Sequence, residues 1–191
     1  FFTTLYFATN GVDAVLESFN HSYFDVEIWP WWKQKIRAFF LMSSLAVLII
    51  ISMVLLTFGK QTIVILKNIY IISGSLTVVA LQVLQWLIII INLLLSISIL
   101  YFYGQSKEKE VRYRFFSAGS ILATSLFVVG GLLLKMYFEN FSRYNLIYGS
   151  IGSLIILLVW LYYNSIIILI GYELNVSIRT SKMQSELDKK N

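Results

Sequence analysis

The chain has 191 residues, 58% of them hydrophobic and only 13% charged, with a mean hydropathy of +0.76 and a formal net charge of +5. An ordinary soluble domain carries about 25% charged residues, so the composition excludes a water-soluble enzyme and predicts an all-α, polytopic transmembrane helix bundle. The spacing of the charges sharpens this: Arg37 and Lys60 enclose 22 uncharged residues, Lys67 and Lys107 enclose 39, Arg114 and Lys135 enclose 20, and Arg143 and Glu173 enclose 29. About 20 residues rising 1.5 Å each are enough to cross a hydrocarbon core of about 30 Å.

In chain order, the apolar opening, residues 1–9, reads as the tail of a span that begins upstream, so the sequence reads as part of a longer chain. Residues 10–37 follow as an interfacial amphipathic segment on the cytoplasmic side. There Val12, Val15, Leu16 and Phe19 recur at helical spacing, with Asp13 and Glu17 on the other side. Trp29, Pro30, Trp31 and Trp32 run directly into Lys33, Lys35 and Arg37, a pairing of indole and cation that suits the headgroup layer.

Complete spans are predicted over residues 38–58, 84–103, 115–134 and 146–170. The stretch from Asn68 to Ser106 is too long for one crossing, so residues 59–83 are expected to bend or lie outside, with a break near Ser73, Gly74 and Ser75. Residues 171–191 are expected to form a cytoplasmic tail, loosely ordered from Arg179 to Asn191. With four spans, eleven Lys and Arg residues flank one face and four the other. The richer face should be cytoplasmic, which places the C-terminus on the cytoplasmic side.

The chain contains no cysteine and one histidine, His21. Disulfide and thiol chemistry are therefore excluded, and the residues for a catalytic metal site are missing from the spans. No cofactor is expected. The basic residues fall in small groups beside apolar runs and not in one stripe, which argues against nucleic acid and for membrane lipids as partners.

Helical phase gathers the polar residues of three spans into stripes. Gln82, Gln85, Asn92, Ser96 and Tyr103 share one sector. Ser117, Ser120, Thr124 and Gly131 share another, and Gly149, Ser153, Trp160, Asn164 and Gly171 a third, with Asn175 beyond. Uncompensated amides are costly in hydrocarbon, so Asn92 and Asn164 are expected to face the protein interior. Two uses are open: the stripes pack helices together, or Gln85, Asn92, Ser96, Ser120, Thr124, Gly149, Ser153 and Asn164 line a polar groove for a small amphipathic substrate. Glu173 is a candidate partner for Arg112 or Arg114, or a solvated interfacial carboxylate.

The segment from Tyr144 to Asn175, YNLIYGSIGSLIILLVWLYYNSIIILIGYELN, carries a YG pair, an aliphatic run, W-x-Y, a second aliphatic run and G-x-E-x-N. This order closely resembles the closing segment of the YihY/BrkB family of bacterial inner-membrane proteins, the matching positions being Tyr148, Gly149, Trp160, Tyr162, Gly171, Glu173 and Asn175. Residues 8–20, ATNGVDAVLESFN, resemble the stretch after the family's second helix. Residues 117–123, SAGSILA, resemble its P-G-x-x-x-A entry to the fifth, with Ala118 in place of the proline. The resemblance implies six spans in the whole protein, both termini cytoplasmic, and a role in envelope maintenance, serum resistance or transport. The family's older ribonuclease BN label is not supported by the side chains present here. A transporter or handler of a lipid-like molecule is the leading expectation, and a scaffold whose stripes only pack helices is the alternative.

Overall fold

A computed structural model of the chain describes residues 2–21, 30–68, 75–104, 114–141 and 144–189. Among them there is no strand, and the order is α1 (Phe2–His21), α2 (Trp31–Asn68), α3 (Ser75–Tyr103), α4 (Ala118–Phe141) and α5 (Tyr144–Asp188). The chain is all-helical, as its composition requires. Among the described residues, four stretches are long and apolar enough to cross a membrane: Trp31–Gly59, Leu76–Tyr103, Ala118–Tyr137 and Leu154–Lys182. Their large side chains are broadly exposed, as in Val47, Ile50, Val83, Leu132 and Leu158, which is the surface a lipid solvent favours.

The helices run past the expected spans wherever no residue breaks them. α1 continues through Asn10 and Gly11. α2 continues from Phe58 to Asn68, through Gly59 and Lys60, and α3 starts at Ser75, nine residues before Leu84. The break expected near Ser73 and Gly74 falls outside the described residues. The end expected to be loosely ordered from Arg179 is instead helical to Asp188. That stretch contains neither glycine nor proline, and its Lys, Gln, Glu and Met residues are good helix formers. At 1.5 Å per residue, the 45 residues of α5 measure about 67 Å, more than twice the hydrocarbon thickness.

The chain divides into two compact units, each described by itself. The first comprises Phe1–Leu16 and Trp29–Gly104, the second Glu17–Ile28 and Gln105–Asn191. The first contains the α2–α3 pair and the start of α1; the second contains the α4–α5 pair and the end of α1. In each pair the contacts run in opposite directions along the two helices: Arg37 meets Tyr103 and Leu55 meets Gln85, while Gly119 meets Asn175 and Leu126 meets Tyr163. Both pairs are antiparallel hairpins, the arrangement short helix–helix connections impose.

Candidate functional site

In the first unit, polar groups join the hairpin at successive levels. Gln85 Nε2 donates to the Leu55 carbonyl at 2.9 Å. Two turns on, Asn92 Nδ2 donates to the Leu48 carbonyl at 2.7 Å and to Ser52 Oγ at 2.6 Å. Near the end, Arg37 Nη2 donates to the Tyr103 carbonyl. Gly59 makes room for the lowest of these contacts, because a Cβ there would stand 2.6 Å from Gln85 Nε2. Asn92 is buried, and Ser96 Oγ turns back to the Asn92 carbonyl at 2.9 Å. Gln85 and Asn92 thus spend their donors on α2.

The start of α1 is fastened to the first turn of α2 by four side chains. Lys35 Nζ pairs with Asp13 Oδ2 at 2.5 Å and donates to Asn10 Oδ1 at 2.7 Å, and Gln34 Nε2 donates to Asp13 Oδ1 at 2.9 Å. Asn10 and Asp13 are three residues apart and so share a helix face. Beside this junction Trp31 and Trp32 remain exposed, with Lys33 Nζ 5.2 Å from the Trp32 ring centre, a cation–π contact.

The second unit is tied at one end by a knot of small and polar residues. Ser117 caps α4: its Oγ accepts from the Ser120 amide at 3.2 Å while its own amide donates to Ser120 Oγ at 3.1 Å. This is a capping box with serine in the second position. Asn175 of α5 completes it. Its Oδ1 accepts from the Gly119 amide at 2.8 Å and its Nδ2 donates to Ser117 Oγ at 2.8 Å, so a free donor of the α4 terminus is satisfied from the neighbouring helix. The backbones touch here because residue 119 is glycine; a Cβ would lie 1.9 Å from the Gly171 carbonyl oxygen and 2.7 Å from Asn175 Cγ. Ala118, where the proline was expected, is the first residue of α4, a position at which proline and alanine are both accommodated. Close by in sequence, Tyr172 stacks on Phe19 of α1, ring centres 3.9 Å apart and both rings buried.

Of the other expected positions, Ser120 and Thr124 are buried; Thr124 Oγ1 donates to the Ser120 carbonyl at 2.7 Å and Ser120 Oγ to the Ser117 carbonyl at 2.9 Å. Asn164 has its Oδ1 buried without a hydrogen-bond partner. Glu173 and Tyr162 are exposed, and no ion pair joins Glu173 to Arg114 among the described residues; Arg112 lies outside them. Tyr148, Gly149 and Ser153 belong to α5, but their side chains lie outside what is described. Within each unit taken by itself, Gln85 and Asn92 of α3 and Ser117 at the α4 entry meet partners of their own hairpin.

Of the residues that line a ligand-sized opening in the second hairpin, the sequence singled out Trp160 alone. Toward the end of that hairpin away from the knot, Gly130, Leu133, Leu134 and Tyr137 of α4 face Ile155, Ile156, Val159, Trp160 and Tyr163 of α5 across a cleft of about 470 Å³. That lies within the range of about 300–1,000 Å³ typical of small-molecule sites. Tyr163 closes one end. Its ring lies against Gly130, where a Cβ would stand 2.2 Å from Cε1, and its hydroxyl donates to the Leu126 carbonyl at 3.1 Å. Trp160 stacks beside it with ring centres 5.9 Å apart. The double glycine at 130–131 was the available signal, yet only Gly131 fell on the polar stripe. No group of three or more His, Asp or Glu side chains able to hold a metal comes together among the described residues.

Comparison with known proteins fits this architecture. The chain is 28% identical over 178 residues to a putative ribonuclease-like protein, YfkH, of Bacillus subtilis (strain 168), covering 93% of the chain and 64% of that relative. It is 34% identical over 77 residues to the UPF0761 membrane protein IL2447 of Idiomarina loihiensis, covering 40% of the chain and 27% of the relative. It is 38% identical over 69 residues to a UPF0761 membrane protein of Klebsiella pneumoniae subsp. pneumoniae, covering 36% and 24%. The chain thus spans less than two thirds of the length of these relatives. No solved structure matches it significantly. The family described as Virulence factor BrkB matches residues 1–191, and this chain is a member of that family of membrane proteins.

Proposed function

We propose that the protein is a non-enzymatic, multi-pass protein of the bacterial inner membrane that takes a lipid-like or amphipathic molecule between its helices in the service of envelope maintenance. The observation that carries this reading is the apolar cleft between α4 and α5. The polar residues at the α4 entry support it indirectly, since with Asn175 they fasten the two helices that frame the opening. The excess of Lys and Arg on one flank supports a cytoplasmic C-terminus. Maleimide labelling of a cysteine placed at Ser106 should occur only from the inside; labelling from outside reverses the topology.

The functional test is reconstitution of the full chain into liposomes with a fluorescent phospholipid or a fluorescent single-chain lipid. Binding or transbilayer movement above that of protein-free liposomes, lost on filling the cleft with Ile156→Trp, is the expected result. No difference between proteoliposomes and empty vesicles for either lipid would remove the proposal. A scaffold is the second reading, favoured by the donors of Asn92 and Asn175 being spent on neighbouring helices. Under it, Ile156→Trp leaves every lipid measurement unchanged, and Asn92→Leu lowers stability alone.

A further inference from the structure

We infer that the α4–α5 cleft is a socket for one acyl chain, entered tail first from the Tyr137 end, with Gly130 and Tyr163 together setting how long a chain it accepts. The inference rests on the proposal that a lipid-like molecule occupies this cleft and adds which part of that molecule is held.

The walls decide the chemistry. Leu133, Leu134, Ile155, Ile156 and Val159 supply aliphatic surface, and among the described residues no charged side chain lines the opening. A headgroup placed inside would lose its hydration without gaining a counter-charge, which is strongly unfavourable. A hydrocarbon tail loses nothing. Leu133, Ile155 and Val159 are also 59%, 52% and 61% exposed, so the cleft walls are continuous with the surface this membrane protein offers to lipid. Acyl chains are the molecules already present there.

The two ends differ, and the difference gives the direction of entry. Tyr137 is the last residue of the apolar stretch Ala118–Tyr137, at the depth where aromatic side chains meet the headgroup layer. Gly130 lies seven residues deeper, about 10 Å along the helix axis, so the socket reaches roughly a third of the way into a core of about 30 Å. Its floor is the Tyr163 ring. Three constraints fix that ring: the absence of a Cβ at Gly130, the hydroxyl bond to the Leu126 carbonyl, and the stacked Trp160. A fixed floor discriminates by length. Hydrocarbon outside the socket is as apolar as hydrocarbon inside, so selectivity within the bilayer arises from fit. A short tail leaves a void and a long one meets the ring.

Trp160 is a built-in reporter. In a full-length variant that retains Trp160 and carries Phe at the other four tryptophans, reconstituted in phosphatidylcholine nanodiscs, fatty acids of increasing length brominated at the terminal carbon are added and fluorescence quenching is read against mole fraction in the bilayer. Saturable quenching with a maximum at one chain length is expected, several-fold stronger than for the same chain brominated beside its carboxylate. Tyr163→Ala, which removes the floor, should move the maximum to longer chains, and Val159→Phe, which fills the socket from its wall, should abolish the saturable part. Quenching that rises without saturation and is indifferent to bromine position, chain length and both substitutions overturns the inference, leaving only lipid that surrounds the protein. If that result accompanies intact lipid binding or movement in the liposome assay, the socket fails alone. If no lipid is bound or moved there either, the functional proposal fails with it.

Discussion

The two hairpins solve the same problem of holding two apolar helices together where water supplies no driving force, and they solve it differently. α2 and α3 are joined by polar contacts at three levels, through Gln85, Asn92 and Arg37. Among the described residues, the polar contacts that join α4 and α5 cluster around Ser117, Gly119 and Asn175, with a further bond from Tyr163 to the Leu126 carbonyl. Within a bilayer, association depends on close packing and on donors that would otherwise be stranded. Distributing such donors fastens a pair at several levels, whereas gathering them fastens it chiefly where they sit. The cleft lies on the far side of Tyr163 from the Asn175 knot.

This contrast can be broken at defined points, using Trp86 to follow the first hairpin and Trp160 the second during unfolding in a detergent titration. Gly119→Ala should act most strongly, because a methyl group 1.9 Å from a backbone oxygen can be relieved only by parting the helices. A cost of about 3 kcal/mol or more is expected in the Trp160 transition, with the Trp86 transition unmoved. Asn175→Ala removes the cap that α5 lends to α4 and should cost about 2 kcal/mol in the same transition.

Asn92→Leu tests the other hairpin. It removes donors to Leu48 and Ser52 and should cost about 1 kcal/mol, in keeping with hydrogen bonds inside membranes, seen with Trp86 and not with Trp160. Ala118→Pro works in the opposite direction: at the first position of α4 it should stabilise the second hairpin by about 0.4–1 kcal/mol by restricting the unfolded chain. Asn164→Leu should have the smallest effect, under about 0.5 kcal/mol, since the Asn164 Oδ1 already lacks a partner. A larger loss there than at Asn92 would reverse the ranking of the two amides.

Fold class was legible because it depends on composition and on the spacing of charges, which no tertiary contact can override in a 39-residue uncharged stretch. Helical phase set Gln85 and Asn92 apart because hydrocarbon penalises an unpaired amide wherever it sits, and both donate to α2. It could not tell which neighbour would receive them, because the acceptors at Leu48 and Leu55 are backbone carbonyls that every residue carries. The family motif pointed to Gly171 and Asn175 together with Gly119. Their meeting in one knot follows from the antiparallel pairing of α4 with α5. The cleft was hidden for a different reason. Leu133, Ile155 and Val159 look in sequence like any lipid-facing side chains, and a void is a property of two surfaces that fail to meet. The helical end of α5 was missed because a charged segment was read as unstructured, although charge at these spacings is compatible with a solvated helix.

α5 is a single rod with no interruption from Tyr144 to Asp188. Val159 and Trp160 stand on one arm of it, the basic residues Arg179 and Lys182 on the other, and Asn175, anchored to α4, lies between. A stiff beam pinned to α4 at Asn175 and again at Tyr163 keeps the aromatic wall of the cleft and the basic end at a set spacing along one axis.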